Sequence, residues 1–354
     1  MRKISDNRQV RELVEAGAVV AYGIGGGKDS FTLVAETDKW LDDIGHPRQL
    51  RVCVHADLGI VEWPQSMEWV EKQAAFGDHD LLVVRRTKGD MVERWEQRWA
   101  DNIARYIDLA CVTVISPWSS SQWRFCTSEL KVDPIVACLK KVFVGQTILN
   151  LTGIRREESI GRAKASVCSI MPKLHVKTKG TIGYAWNPIL DYTFEDVLEV
   201  HKENSFPLHP AYTEYGSERL SCNFCVLARK ADHIAALSCV ENEQAYNRLT
   251  ALELKSTFSF KSKEWLLDLN PSFVSLWEVI ASDEAKRRSA RRLELDALVP
   301  GNMRLTKGVP SAIPSMADAG ILAGIRREMS DLLAVEVKYT TAKDIRDRYA
   351  EMLT

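Results

Sequence analysis

The sequence predicts an α/β fold, a doubly wound parallel sheet followed by a helical C-terminal part. Three observations predict it. A short apolar run, AVVAYGI at Ala18–Ile24, ends in glycines, as a buried parallel strand does. Strand-like and helix-like stretches then alternate, the signature of strands joined by crossover helices. Beyond about residue 190 the strand signals fade and helical patterns take over.

Each element has its own warrant. Residues 4–16 read as a short helix ahead of the first strand, and Phe31–Leu41 as the helix that returns from it. Leu50–Ala56 (LRVCVHA) is the second strand, with a helix near Pro64–Ala75 and a third strand at Leu81–Arg86. A helix around Pro134–Val142 leads to a fourth strand at Leu149–Gly153. Phe194–Asn204 reads as a helix with Thr193 as N-cap and Glu195 and Asp196 in its first turn, where acids favour the dipole. Pro207, Pro210 and Gly216 mark a loop that leads into a cysteine pair. The expected division is residues 1–225, ending at that Cys-x-x-Cys loop, and residues 226–354, mostly helical with breaks near Asn270–Pro271 and Val309–Pro314.

Composition narrows the function class. Of 354 residues, 45% are hydrophobic and 27% charged, an ordinary globular balance. No apolar run approaches the roughly 18 residues of a membrane span, and the N-terminal MRKISDNRQVRELVEAG lacks the apolar core of a signal peptide. A cytoplasmic protein with no membrane partner is expected, its eight cysteines reduced and the clustered ones reading as metal ligands or reactive thiols. With a net charge of −1, no global field draws the chain onto nucleic acid. The basic stretches at Arg85–Lys88, Lys173–Lys179 and Lys286–Arg292 read as solvated faces or as local nucleic-acid footprints.

The chemistry starts with GGGKDS, Gly25 to Ser30, set between the first strand and its helix. Gly25, Gly26 and Gly27 allow a tight turn that brings backbone N–H groups to an anion, and the helix N-terminus adds its positive end. Lys28 can neutralise phosphate oxygens and the Ser30 hydroxyl can donate to one. Two commoner loops do not fit. The Walker A pattern meets Tyr22 where it needs glycine and Asp29 where it needs Ser or Thr, and a GxGxxG started at Gly23 meets Lys28. A glycine-rich turn with no ligand is the plain alternative.

Other candidates line up along the sheet. The second strand ends in HADLG with Glu62 just after, and Asp57 there suits a ribose contact or simply a turn. Gly153, Arg155 and Arg156 follow the fourth strand, and paired arginines suit bidentate capture of phosphate. Arg156 otherwise pairs with Glu157 or Glu158, and Arg162 is a further candidate. Cys222 and Cys225 form SCNFC, with Cys126 upstream in RFCTSELKVDP. Thiolates at this spacing suit an iron–sulfur cluster, half a zinc site or a redox pair. Cys53, Cys111, Cys138 and Cys168 read as packing residues.

On these motifs the chain resembles the PP-loop ATP pyrophosphatases (adenine nucleotide alpha-hydrolase-like), within them the branch of phosphoadenylylsulfate (PAPS) reductases and the DNA phosphorothioation protein DndC. The resemblance covers roughly residues 15–265. It rests on Gly25–Ser30, where Gly25 stands in place of a common Ser, on Gly153–Ser159, on Trp186–Ile189 with Asp191–Val197, and on the cysteines. It implies binding of ATP with Mg²⁺ and cleavage between the α- and β-phosphates. Lys28, Ser30 and Arg156 would stabilise the departing pyrophosphate and Asp29 would help to position the metal. Asp57 would lie beside the adenosine. Cys126, Cys222 and Cys225 would hold an iron–sulfur cluster, with Thr127 where some relatives have a further cysteine and Cys239 or no residue as fourth ligand. The implied reaction is adenylylation of an acceptor for sulfur transfer, DndC-like if that acceptor is nucleic acid. A sulfur donor such as a cysteine desulfurase, and a protein complex through the C-terminal helices, are the implied partners. A PAPS or adenylylsulfate reductase is the alternative, disfavoured because the last cysteine is Cys239. A non-catalytic nucleotide-sensing subunit is the other.

Overall fold

The computed structural model describes residues 2–269, 276–306 and 308–354. The chain forms two compact units, Met1–Met91 with Gln122–Asn242, and Val92–Ser121 with Glu243–Thr354.

The first unit is built on a six-stranded sheet of β1 (Val19–Gly23), β2 (Arg51–Asp57), β3 (Asp80–Arg85), β4 (Thr147–Thr152), β5 (Cys168–Ile170) and β6 (Ile182–Trp186). Their order is β3-β2-β1-β4-β6-β5, and every neighbouring pair is parallel except β5 on β6. β1 is central because both its faces are covered. Val20 and Tyr22 enter one core with Phe31, Val34 and Leu149, while Val19 and Ala21 enter the other with Val52, Leu139 and Ile148. That two-sided burial is why the strand reads as a continuous apolar run rather than an alternation.

Four strands stand where the sequence predicts them, within a residue or two at each end. β5 and β6 lie outside the expected elements. β5 has three residues, and β6 (IGYAW) carries a glycine whose added Cβ would lie 2.0 Å from Leu174 Cβ. The helix after β1 runs Lys28–Asp43 and so starts three residues before the expected Phe31. Lys28, Asp29 and Ser30 therefore belong to its first turn. Thr193 caps the helix Phe194–Glu203 as expected: its hydroxyl accepts from Asp196 N at 3.1 Å, and the Asp196 carboxylate accepts from Thr193 N at 2.8 Å.

The second unit is helical among its described residues, with Glu243–Ser256, Leu276–Leu298, Met316–Leu333 and Ala342–Leu353 joined by most of Met91–Ile107. The expected break near Asn270–Pro271 falls outside the described residues. The break near Val309–Pro314 is a non-helical stretch before Met316. No helix among the described residues is long and apolar enough to cross a membrane. A fully buried arginine ties this unit together. Arg326 donates to the carbonyls of Tyr106 (2.9 Å), Ile107 (2.9 Å) and Lys338 (2.6 Å).

Burial disfavours the Arg326 charge, Tyr106 and Cys111 oppose that effect, and the carbonyls, with that of Tyr339 as a further acceptor, satisfy its N–H groups. Arg326→Met should leave buried carbonyls without a donor and lower stability by roughly 3 kcal/mol in urea denaturation. A loss under about 1 kcal/mol would mean that other donors replace the guanidinium.

Candidate phosphate-binding site

The site lies where the chain turns from building one side of the sheet to building the other. β1 is flanked by β2 and β4, so the loop after β1 and the turn after β4 meet at the same sheet edge, the usual place for a ligand in such sheets. The contact is close. A Cβ on Gly153 would lie 2.8 Å from the Asp29 carbonyl oxygen, and one on Gly23 would lie 2.9 Å from that of Leu151. Gly26 takes a left-handed φ of +78°, and its missing side chain leaves room for Ser66 and Trp69. At Gly25 an added Cβ meets nothing within 4 Å.

Below this loop opens a cavity of about 390 Å³, lined by Gly25, Gly27, Lys28, Asp29, Ser30 and Gly153 among others. Gly27 is the N-cap of the helix Lys28–Asp43 and offers no side-chain cap, so the first-turn N–H groups keep their capacity for an anion. Ser30 Oγ is 2.8 Å from the Gly27 carbonyl oxygen and 2.9 Å from Gln73 Oε1, and Gln73 Nε2 donates to the same carbonyl at 2.9 Å. The loop is thus braced from behind.

Charge at the cavity is organised around Asp29. Its carboxylate accepts from Lys28 Nζ at 2.8 Å and from Arg155 Nε at 2.7 Å. Burial pushes its pKa up, but the two cations outweigh burial and hold it below the ordinary carboxylate range. Lys28 Nζ also lies 5.6 Å from the Phe194 ring centroid and 5.4 Å from that of Tyr212. Lys131 and Arg219 line the cavity without a hydrogen-bond or ion-pair partner for their charged groups among the described residues. Arg162 lines it paired with Glu158. On the adjoining wall His55 Nδ1 faces the Ile24 carbonyl at 3.1 Å and Nε2 faces Glu62 at 3.1 Å. Burial opposes charging of His55, yet Glu62 outweighs it and the pKa is raised.

The expected residues separate into those the fold brings to the cavity and those it does not. Gly25, Gly27, Lys28, Asp29, Ser30, Gly153 and Cys222 line it. Arg155 reaches it through Asp29. Arg156, expected on the pyrophosphate, is turned away: its Nε bonds Asp191 at 2.6 Å and its NH1 bonds the carbonyls of Ala163 and Ala165 at 2.8 and 2.9 Å. Arg155 lies on extended backbone while Arg156 opens the helical turn Arg156–Glu158, so the two side chains leave in different directions and Arg155 takes the inward one. Asp57 is not among the lining residues. Its carboxylate closes a turn on Gly59 N at 2.7 Å and pairs with Arg85 at 2.6 Å. Lys131 stands in the RFCTSELKVDP segment quoted for Cys126 but was not expected as a site residue, and neither were Tyr212 and Arg219, which carry no motif of their own.

The three expected cysteine ligands share one neighbourhood. Burial, first, and the nearby thiols of Cys225 and Cys126 push Cys222 up to about 12, with Lys131 opposing. Cys225 is raised by burial and by Cys126, with Lys131 and Arg219 opposing. Among the described residues no three His, Cys, Asp or Glu side chains are grouped tightly enough for a single metal ion. The donor set of three thiols with cations around it fits a multi-iron cluster, whose ligands bind separate irons, better than one zinc ion. Cys239 stands apart, its Sγ 3.2 Å from Glu241 Oε2 and hydrogen-bonded with Tyr215.

Residues 20–228 match the phosphoadenosine phosphosulfate reductase domain. That is more than half of the chain, and the chain belongs to this family, within which nucleotide binding and sulfur chemistry are the common ground. It is similar to an uncharacterized 37.8 kDa protein of the gpa 5′ region of Escherichia phage 186, with 26% identity over 246 residues, 59% of this chain and 67% of that protein. It is also similar to a phosphoadenylyl-sulfate (PAPS) reductase from Candida auris, solved as a phosphate complex, with 17% identity, a TM-score of 0.38 and coverage of 60% of this chain and 85% of that one.

Two measurements test the site's construction. Gly153→Ala should lower stability by about 2 kcal/mol, because the new methyl meets backbone, whereas Gly25→Ala should be neutral or slightly stabilising; equal effects in chemical denaturation would refute the close approach. His209 packs 5.3 Å from the Trp69 ring, and its Nδ1 accepts from Ala211 N at 3.0 Å. Burial lowers its pKa to about 4, against a small opposing effect of Glu68. Between pH 6.5 and 4 the unfolded chain therefore binds a proton that the folded chain refuses. Stability is full above pH 6.5 and falls by on the order of 3 kcal/mol as pH drops to 4. His209→Asn, which keeps an acceptor for Ala211, should flatten that fall, and an unchanged pH profile would show that His209 does not cause it.

Proposed function

We propose that the chain is an ATP pyrophosphatase that adenylylates an acceptor for sulfur transfer, iron–sulfur dependent and DndC-like in acting on nucleic acid. The observation that carries this reading is that one cavity has the phosphate cradle of Gly25–Ser30 and the thiol of Cys222 in its walls. In the first step an acceptor oxygen attacks the α-phosphorus of ATP and the bond to the bridging oxygen of the β-phosphate breaks. Pyrophosphate leaves with the electron pair. Developing negative charge there is met by first-turn N–H groups, Lys28 and the Ser30 hydroxyl, aided by Lys131 and Arg219. Asp29, Glu62 and Glu158 are the cavity carboxylates that could hold Mg²⁺, Asp29 only by loosening Lys28 or Arg155. Cys126, Cys222 and Cys225 would hold the cluster, which when bound supplies sulfur or electrons. A cysteine desulfurase-type donor and partners on the C-terminal helices complete the proposal.

The second reading is a reductase of a nucleotide-bound sulfate, and family membership supports it. It needs a thiol at the sulfate sulfur. Cys222 is the thiol at the cavity, whereas Cys239 is 2% exposed and held by Tyr215 and Glu241.

Anaerobically purified protein separates the readings. α-Labelled ATP with DNA or tRNA should release pyrophosphate and label the nucleic acid, Lys28→Ala should lower that rate at least about 100-fold, and Cys222→Ala should lose bound iron and sulfide. Sulfite from PAPS with no pyrophosphate from ATP would establish the reductase instead. ATP binding without turnover of either substrate would indicate a nucleotide-sensing subunit.

A further inference from the structure

A second cavity, of about 530 Å³, adjoins the first. Lys28, Glu158, Tyr212 and Arg219 line both, so these four side chains form the partition. Beyond them the second cavity has two distinct kinds of wall. One is apolar, made by Phe194, Leu198 and Leu208. Phe194 is the first residue of a helix whose inner face packs on the helix Lys28–Asp43, yet Phe194 stays 42% exposed. The other wall is cationic. Arg229 is paired with Glu218, and Arg219 carries a guanidinium with no hydrogen-bond or ion-pair partner among the described residues.

An exposed aromatic face beside two guanidinium groups recognises two things at once, a planar apolar body and a phosphate. An inorganic anion would leave Phe194, Leu198 and Leu208 unused, and an aliphatic ligand would leave the arginines unmet. The volume suits a ligand of nucleotide size. Arg219 and Lys28 face both spaces, so an acceptor held here stands one side chain from the phosphates held in the first.

We propose that this second cavity binds the acceptor as a nucleotide unit, its base against Phe194, Leu198 and Leu208 and its phosphate between Arg219 and Arg229. This rests on the reading of the first cavity as the ATP site and names the substrate class that would be presented to it.

The test uses the full chain and a fluorescein-labelled thymidylate tetranucleotide, followed by anisotropy with and without saturating α,β-methylene ATP. Wild-type protein should bind the oligonucleotide with the ATP analogue in place. Phe194→Ala and Arg229→Ala should each weaken that binding about tenfold, while Phe194→Trp, which keeps an aromatic face, should stay within about twofold of wild type. Calorimetry should find the affinity for the ATP analogue unchanged in Arg229→Ala, since Arg229 lines the second cavity alone. Three results would each overturn the proposal: no oligonucleotide binding by the wild type, wild-type binding by both alanine variants, or displacement of the oligonucleotide by the analogue. Oligonucleotide binding that responds to these substitutions in a protein that fails to bind the analogue would instead remove the ATP reading and leave the second cavity's ligand standing.

Discussion

Asp29 ties together two pieces of chain that the pairing of β1 with β4 brings side by side. Lys28 belongs to the helix after β1 and Arg155 to the turn after β4, and both donate to the one carboxylate. Behind them the backbone of residue 153 lies against that of Asp29, in a gap that only glycine can fill. Two cations placed this near each other repel, and a buried carboxylate between them makes the arrangement stable before any ligand arrives. A polyphosphate, the ligand proposed for this site, would meet cations already in position, so little reorganisation would oppose its binding. The same pairing also limits the site, because Lys28 and Arg155 share their charge with Asp29. The cations left to meet a ligand in full are Lys131 and Arg219.

The helix that carries Asp29 is fixed a second time, three turns further along. Asp38 is buried and accepts from Tyr22 O–H at 2.5 Å, faces His79 Nε2 at 2.7 Å and takes Arg51 at 3.3 Å. Tyr22 comes from β1, Arg51 starts β2, and His79 precedes β3. One carboxylate thus ties the helix to three successive strands. Pinned by Asp38 and by Asp29, the helix cannot slide along the sheet, and its N-terminus stays aimed at the cavity.

The parts of this fold that sequence reading recovered are those whose cause is local. β1 to β4 are short apolar runs, the Thr193 cap is a matter of two side chains three residues apart, and the glycine loop announces itself by composition. The parts that it missed depend on contacts distant in sequence. β5 exists because it can pair with β6, and three residues carry no periodicity. Arg155 and Arg156 are chemically identical, and which one faces the cavity is decided by Asp29 and Asp191, over 120 and about 35 positions away. Asp57 had the right residue type at a strand end, but Arg85 on β3 offered it a partner across the edge. Lys131, in the helical turn Ser128–Val132, and Tyr212 and Arg219, in and after the short helix Pro210–Thr213, converge on the cavity from two distant parts of the chain.

The cysteines show the same division. SCNFC placed Cys222 and Cys225 together by sequence alone, while bringing Cys126 to them required the turn before the helix Asp133–Val142 to fold against the 222–225 loop. Cys239 is only fourteen residues from Cys225, yet the intervening helix Lys230–Leu237 carries it to Tyr215 and Glu241. Cys222 therefore lines the cavity with Cys225 and Cys126 near it, and Cys239 is held elsewhere. Burial opposes ionisation of Cys222 and Cys225 and Lys131 favours it, so a positively charged group bound at these two sulfurs would relieve a cost that the unliganded site carries. The same lysine faces the phosphate side of the cavity. Charge placed on either wall is thereby felt by the same side chain, and through Lys131 the two chemistries proposed for this cavity would influence each other.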